Sequence, residues 1–337
     1  MSKEHRVLTG ITTTGVPHLG NLVGAVLPAI KASEQKNTKS FLFLADYHSL
    51  IKNSDSGLRN QSSFDIAACW LACGLDPQKV IFYRQSDIPH IFELAWILSC
   101  LSSKGLLNRA HAYKAAISDN EAKKITDIDK GINMGLFNYP ILMAADILMF
   151  KADSVPVGQD QKQHIEMTRD IALKFNHQYG EILTIPEAVI DENTGILPGI
   201  DGRKMSKSYE NTIPIFSSED KLRKVVMKIQ TNSLEPGEPK DSSDSNIFSI
   251  YKAISTKKNI EELNRLFLEG IAWGEAKNIL FEELNSFLKP FQEEYNKIIK
   301  DKSFVEKILV EGSEKALTVS EPIIKDVRQA VGIQGFE

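Results

Sequence analysis

TTTGVPHLGNLVGA, residues 12–25, sets Gly15, Pro17, His18 and Gly20 where one kind of sequence gives way to another. Before it, RVLTGI (6–11) is apolar and β-branched, as a buried strand requires. After it, GNLVGAVLPAIKASEQ (20–35) is broadly apolar over a length that only a helix fills. A strand, a tight glycine turn and a helix in that order form the first half of a βαβ unit. Glycine at such a turn lets a second group approach the backbone, and Gly15 and Gly20 raise the question of what approaches.

Outward from this segment the alternation continues. FLFLADYHSLI (41–51) and KVIFYRQ (79–85) read as strands, while FDIAACWLACG (64–74) and ELAWILSCLSSKG (93–105) read as helices ending near Gly or a polar cluster. Strands alternating with helices predict a parallel sheet wound on both faces. Beyond about residue 203 the character changes. SEDKLRKVVMKIQ (218–230), IEELNRLFLEG (260–270) and WGEAKNILFEELNSFLKPFQEEYNKIIK (273–300) are amphipathic helices without intervening strands. SLEPGEPKDSSDSN (233–246) is a polar loop among them. The expected fold is α/β, a Rossmann-like doubly wound parallel sheet (1–202) followed by an α-helical second domain (203–303), with a C-terminal helix at about 304–337 packing back on the first.

Composition narrows the function classes. A 337-residue chain with 42% hydrophobic residues can bury a substantial core, and a net charge of −4 argues against a protein that holds nucleic acid, DNA above all, by overall charge. Cys69, Cys73 and Cys100 lack metal-ligand spacing, so no metal site is expected and the thiols are expected to be reduced and buried. MSKEHRVLTG has no apolar targeting core and no run approaches a membrane span, which predicts a cytoplasmic protein.

In a doubly wound sheet the first strand-to-helix turn is a phosphate site, because the helix start offers unpaired N–H groups and a positive dipole end. The turn here follows neither the GxGxxG nor the Walker pattern, so a dinucleotide dehydrogenase and a P-loop ATPase are disfavoured. Taken alone it is equally a structural turn. A second segment changes that: GRKMSKS (202–208) carries Lys204 and Lys207 on a loop, two cations able to neutralise charge developing on a leaving pyrophosphate.

PHLGN (17–21) resembles the first signature, and KMSKS (204–208) the second, of class I aminoacyl-tRNA synthetases. NYPILMAADILMF (138–150) and VPVGQDQKQHIEMTRDIALKFN (155–176) closely resemble tryptophanyl-tRNA synthetases, and the resemblance spans essentially the whole chain. It implies a homodimer that uses ATP, with Mg2+ held mainly by the triphosphate, to activate L-tryptophan and then load it onto the 2′-OH of the terminal adenosine of tRNA(Trp). The same resemblance assigns His18, Asn21, Lys204 and Lys207 to catalysis. ATP would be met by Thr12, Thr13, Thr14, Gly20, Asn21, Gly158, Gln159, Asp160, Ile196, Leu197, Lys204, Met205, Ser206, Lys207 and Ser208.

For tryptophan it assigns Asp146, Tyr139, Met143, Gln161, His48, Leu8, Val155 and Val157. Asp146 is the most informative, since a carboxylate on the apolar helix ILMAADILMF is costly to bury without a partner, and indole offers an N–H that phenyl does not. Its competing reading is a helix cap or a partner of a core arginine. His48, placed at the end of the strand FLFLADYHSL, would ordinarily be structural, and only the resemblance puts it in the pocket.

Three departures from the family pattern stand out. TTTG replaces the Gln or Arg, then Pro, then Ser or Thr, of many relatives, so any contact of Thr12 is shorter or water-mediated. Lys114 matches a lysine of the flexible loop, but Ala116 replaces a second, for which Lys123 or Lys124 is the available substitute. No cysteine follows Cys100, which excludes the four-cysteine iron–sulfur cluster of some relatives. Lys221, Lys224 and Lys228 share a helical face that is either a phosphate contact or a solvated surface. The alternatives are a tyrosine-specific enzyme of the same subclass, disfavoured by Asp146 and VGQDQKQH, and a non-catalytic tRNA-binding paralogue, for which the loop lysines would have no use.

Overall fold

The structure is a computed structural model and describes residues 4–13, 15–51, 54–190, 197–333 and 335. Five parallel strands, β1 (His5–Thr12), β2 (Thr38–Ala45), β3 (Ile81–Arg84), β4 (Ser154–Pro156) and β5 (Glu187–Val189), pair in the order β3-β2-β1-β4-β5. The chain builds outward from β1 to β3 and then returns to lay β4 on the other side of β1. That reversal opens a crevice beyond the carboxyl ends of β1 and β4, where open α/β sheets bind ligands.

Period-two patterning sorts the side chains between the two faces of the sheet. On β2, Phe41, Phe43 and Ala45 enter one apolar cluster while Leu42 and Leu44 enter the other; on β3, Ile81 and Tyr83 oppose Phe82 in the same way. After β1 the chain turns through Leu19–Asn21 and a π-helical stretch, Leu22–Val26, into α1 (Leu27–Ser33). Then come α2 (Ser56–Ala72), α3 (Pro89–Leu101), α4 (His111–Ala122), α5 (Met134–Met149) and α6 (Lys162–Tyr179). α1 and α2 cover the Leu42 face, and α3, α5 and α6 the Phe41 face.

Past residue 203 the described residues form helices: α7 (Glu219–Met227), α8 (Asn246–Ile254), α9 (Lys257–Leu268), α10 (Trp273–Ile298) and α11 (Lys302–Val331). Their apolar faces, through Val226, Ile250, Phe267 and Leu284, are continuous with the cluster under α2. α11 starts in that cluster with Val305 and Leu309 and finishes in the other with Ile324 and Val327, so it crosses the edge strand β3. Gly312 makes the crossing possible, because any Cβ there would overlap the Phe82 carbonyl. The helix thereby shields an exposed sheet edge. Lys240 anchors the polar 233–246 loop, its buried ammonium donating to the Glu235 and Glu238 carbonyl oxygens at 2.9 Å each.

Two expectations need correction. The strand expected over 41–51 stops at Ala45, and His48 sits in a short helix, Asp46–Ser49. The cause is Asp46, whose carboxylate accepts from the backbone N–H of Tyr47 and Ser86 and from the Ser86 hydroxyl, bonds that compete with a strand ladder. The thiols are free, but only Cys69 and Cys73 are buried; Cys100 is exposed on the solvent face of α3, one turn after Trp96, which is 71% exposed. Among the described residues no helix is long and apolar enough to cross a membrane.

Candidate active site

A cleft of about 820 Å³ opens at the β1–β4 reversal. Leu8, Gly10, Thr12, Thr13 and Gly15 line it from β1 and its turn, and Val155, Val157, Gly158 and Gln161 from β4 and the turn after it. The third wall is α5, where Tyr139, Met143 and Asp146 fall on one face at i, i+4 and i+7. Asn133 caps that helix by accepting from the Leu136 N–H at 2.8 Å. His48 completes the wall from the short helix after β2. All eight residues expected to surround tryptophan therefore meet in one cavity.

Asp146 lies at its floor, 1% exposed. His48 Nε2 is 2.9 Å from one carboxylate oxygen, and Gln85 Nε2 donates to both oxygens at 2.8 and 3.0 Å. Burial pushes the Asp146 carboxyl above its ordinary pKa, and the bonds from His48 and Gln85 pull the other way. The Gln85 amide cannot turn over freely, since its Oε1 accepts from the Tyr47 N–H at 3.2 Å. Gln85, fully buried, is absent from the sequence-derived site; a buried carboxylate demands a donor, but nothing local identifies one 61 residues away.

His164, also missed and outside the cavity lining, joins Tyr139 to Gln161. The Tyr139 hydroxyl meets His164 Nε2 in a short hydrogen bond, and His164 Nδ1 lies 3.1 Å from Gln161 Oε1. Burial, reinforced by His111, lowers the His164 pKa to about 4, so the ring is neutral near pH 7. With its Nδ1–H donated to Gln161, Nε2 accepts the Tyr139 proton, which leaves the phenol oxygen's lone pairs turned outward. The Tyr139 pKa rises to about 12, chiefly through burial and then through Asp160. The i+3 spacing of Gln161 and His164 was the available sequence signal.

The opening turn and the lysine loop touch. Gly15, with φ +87°, has the Lys207 ammonium where its Cβ would be 3.4 Å away, and the Gly20 N–H points at Met205 Sδ at 3.3 Å. The group that comes close to both glycines is thus the second signature itself. Leu19 N–H donating to the Ile213 carbonyl at 2.9 Å ties the two segments further. His18 and Asn21 form a reciprocal cap: Asn21 N–H donates to His18 Nδ1 at 3.3 Å and His18 N–H to Asn21 Oδ1 at 3.2 Å. The acceptor role of Nδ1 puts the imidazole proton on Nε2. Burial first, then the nearby Lys207 charge, holds the His18 pKa at about 4. Burial also lowers that of Lys207.

Thr13 Oγ1, buried in the cleft wall, has no hydrogen-bond partner among the described residues. Thr12 is exposed at the rim. Gln159 and Asp160 sit on the exposed turn after β4, with Gln161 donating to Asp160 at 3.0 Å. Leu197 packs on the core beneath the loop, and Met205 is buried while Lys204 and Ser208 face solvent. Ser206 Oγ accepts from the Ser208 N–H at 3.3 Å. Gln159, Asp160, Leu197, Lys204, Met205, Ser206 and Ser208 lie outside the cavity lining. Thr14 and Ile196 lie outside the described residues.

The profile of the class I tRNA synthetases (W and Y) matches residues 1–289. A tryptophan–tRNA ligase of Neisseria meningitidis is 54% identical over 99% of both chains, and one of Pseudomonas syringae 52% identical over 98% of this chain and 74% of its own. The crystal structure of a Campylobacter jejuni tryptophanyl-tRNA synthetase complexed with ADP and tryptophan superposes with a TM-score of 0.88 at 41% identity, covering 97% of this chain and 99% of that one. The chain belongs to the class I tRNA synthetases for tryptophan and tyrosine, and within them to the tryptophan–tRNA ligases.

Proposed function

We propose that the β1–β4 cleft binds L-tryptophan with its indole against Asp146 and its carboxylate toward the opening turn, where ATP lies between that turn and the lysine loop. The observation that carries this reading is Asp146, a carboxylate at the floor of an otherwise apolar wall, aimed and saturated on one side by His48 and Gln85. The indole N–H completes its coordination, while Leu8, Met143, Val155 and Val157 supply apolar contact. The Tyr139 oxygen and Gln161 take the α-ammonium group.

A tryptophan carboxylate oxygen attacks the α-phosphorus of ATP; the bond to the bridging oxygen breaks, giving tryptophanyl-adenylate and pyrophosphate. His18 Nε2–H, Asn21 and the Gly20 backbone bind phosphate oxygens, and Thr12 and Thr13 line the triphosphate path. Lys204 and Lys207 neutralise the charge that accumulates on the leaving pyrophosphate. Gly158, Gln159 and Asp160 hold the ribose and adenine side, with Leu197, Met205, Ser206 and Ser208 as further ATP contacts. Among the described residues no three His, Cys, Asp or Glu side chains converge to hold a metal. An Mg2+ ion carried by the triphosphate would supply further charge neutralisation.

The 2′-OH of the terminal adenosine of tRNA(Trp) then takes the tryptophanyl group and AMP leaves. In this reading residues 1–202 carry the chemistry together with the lysine loop that opens 203–303, the helices of 203–303 take the tRNA including its anticodon, and α11 braces the sheet. Lys221, Lys224 and Lys228 are placed for phosphate contacts. The enzyme acts as a homodimer in the cytoplasm, tRNA bridging both subunits, with the exposed Trp96 face of α3 inside the interface. Amino-acid-dependent ATP–pyrophosphate exchange tests the reading: tryptophan should support it and tyrosine should not, and exchange with tyrosine at a comparable kcat/KM would refute it.

A further inference from the structure

Asn211, three residues beyond the KMSKS segment and 1% exposed, spends every polar group of its side chain on the loop that carries the two lysines. Its Oδ1 accepts from the Ser206 N–H at 2.8 Å. Its Nδ2 donates to Asp201 Oδ1 at 2.7 Å and to the Lys204 carbonyl at 3.1 Å. The Asn211 carbonyl accepts from the Ile200 N–H at 3.0 Å, which closes the loop at its base. Asp201 passes the constraint on, binding the Arg203 backbone N–H at 3.1 Å and its Nε at 2.8 Å, while the Arg203 guanidinium lies 4.3 Å over the Tyr209 ring. Gly199 is the floor of this arrangement: a Cβ there would fall within the Asn211 carboxamide.

The points of attachment matter more than their number. One bond fixes the carbonyl of Lys204, and another the amide of Ser206, immediately before Lys207. Main-chain bonds from the Met205 N–H to the Leu197 carbonyl at 2.9 Å and from the Gly199 N–H to the Arg203 carbonyl at 2.7 Å also hold this segment, and Asn211, outside the cleft lining, is the side chain that pins it on both sides of Met205. Surface lysines on an unheld loop would have to be ordered during the reaction, whereas effective electrostatic stabilisation needs charges already in place. We infer that Asn211, seated on Gly199, is the positioning residue that pre-sets Lys204 and Lys207 for pyrophosphate departure. This rests on the proposed role of those lysines.

Single-turnover adenylate formation, tryptophan affinity by equilibrium dialysis and thermal midpoint should be measured for Asn211→Asp, Gly199→Ala, Gly199→Ala/Asn211→Ala, Asn211→Ala and Lys207→Ala. Asn211→Asp keeps the Ser206 acceptor but turns an oxygen toward Asp201 and the Lys204 carbonyl. Gly199→Ala displaces the amide without altering it. Each should slow adenylate formation by about tenfold or more with tryptophan affinity held within about twofold. The Gly199→Ala/Asn211→Ala double variant should be no slower than Asn211→Ala alone, because both act on one device. Wild-type rates in the Asn211 and Gly199 variants beside a slow Lys207→Ala would overturn the inference. Parallel loss of tryptophan affinity and thermal midpoint would also overturn it, marking Asn211 as a fold element. A Lys207→Ala rate equal to wild type would instead bring down the reading of the lysines, and this inference with it.

Discussion

The Gln85 carboxamide donates to both oxygens of Asp146, at 2.8 and 3.0 Å, while its own oxygen is fixed by the Tyr47 N–H. An acid on an apolar helix is thereby directed, and the bonds from Gln85 and His48 oppose the rise in its pKa that burial imposes. Gln85→Leu removes that support without removing the acid. The expected outcome is a loss of about 1–3 kcal/mol in kcat/KM for tryptophan with the KM for ATP unchanged. The pKa of Asp146 rises further in the variant, so its kcat/KM should start to fall at a higher pH on acidification than that of the wild type. Steady-state exchange across pH reads both effects.

His18 should remain neutral through the physiological range in the free enzyme, because burial and the neighbouring Lys207 hold its pKa at about 4. A histidine whose folded pKa lies below its unfolded value stabilises the fold fully above that unfolded value, and the contribution is lost as pH falls from about 6.5 toward 4. Imidazole nitrogen shifts in a histidine-labelled protein should show the proton on Nε2 and a midpoint well under 6. A midpoint at the ordinary value would mean that the turn is open to solvent.

Lys207→Ala should lower the rate of tryptophan activation by orders of magnitude and leave tryptophan affinity nearly unchanged, since the ammonium group acts as the phosphorus–oxygen bond breaks. Rapid-quench adenylate formation set beside equilibrium dialysis separates the two effects. A variant that binds tryptophan poorly but reacts at the wild-type rate once saturated would contradict this role.

Trp96 leaves 71% of its surface exposed on α3 with Cys100 one turn away, an apolar face suited to a two-fold interface. Trp96→Glu should convert a dimer into a monomer in sedimentation velocity runs at low concentration and abolish aminoacylation. A wild-type chain that sediments as a fully active monomer would remove the dimer from the account.

Local patterning carried most of the architecture. The change from period two to helical spacing at residues 12–25, repeated along the first half, was enough for a parallel sheet, whereas Tyr139 and Met143 were legible only through the family resemblance and Asp146 also as a carboxylate on an apolar helix. What stayed hidden depends on tertiary neighbours. Gln85 and His164 act only through partners, and the end of β2 at Ala45 is set by Ser86, far along the chain. Cys100 looked like core because its helix is apolar nearly all round, and no sequence pattern says which part of such a helix stays open. Asn211 reads as an ordinary polar loop residue until the folded loop closes around it.

The central claim is that Asp146 recognises the indole N–H, and one double comparison tests it most directly. Pyrophosphate exchange is measured for wild type and Asp146→Ala with tryptophan and with benzothienylalanine, which replaces the N–H by sulfur at similar size. The account predicts that the mutation lowers kcat/KM for tryptophan by about 2 kcal/mol or more. Benzothienylalanine, already a poor substrate of the wild type, should lose much less. An equal fall for both amino acids would contradict the account, since Asp146 would then support the pocket without reading the substrate.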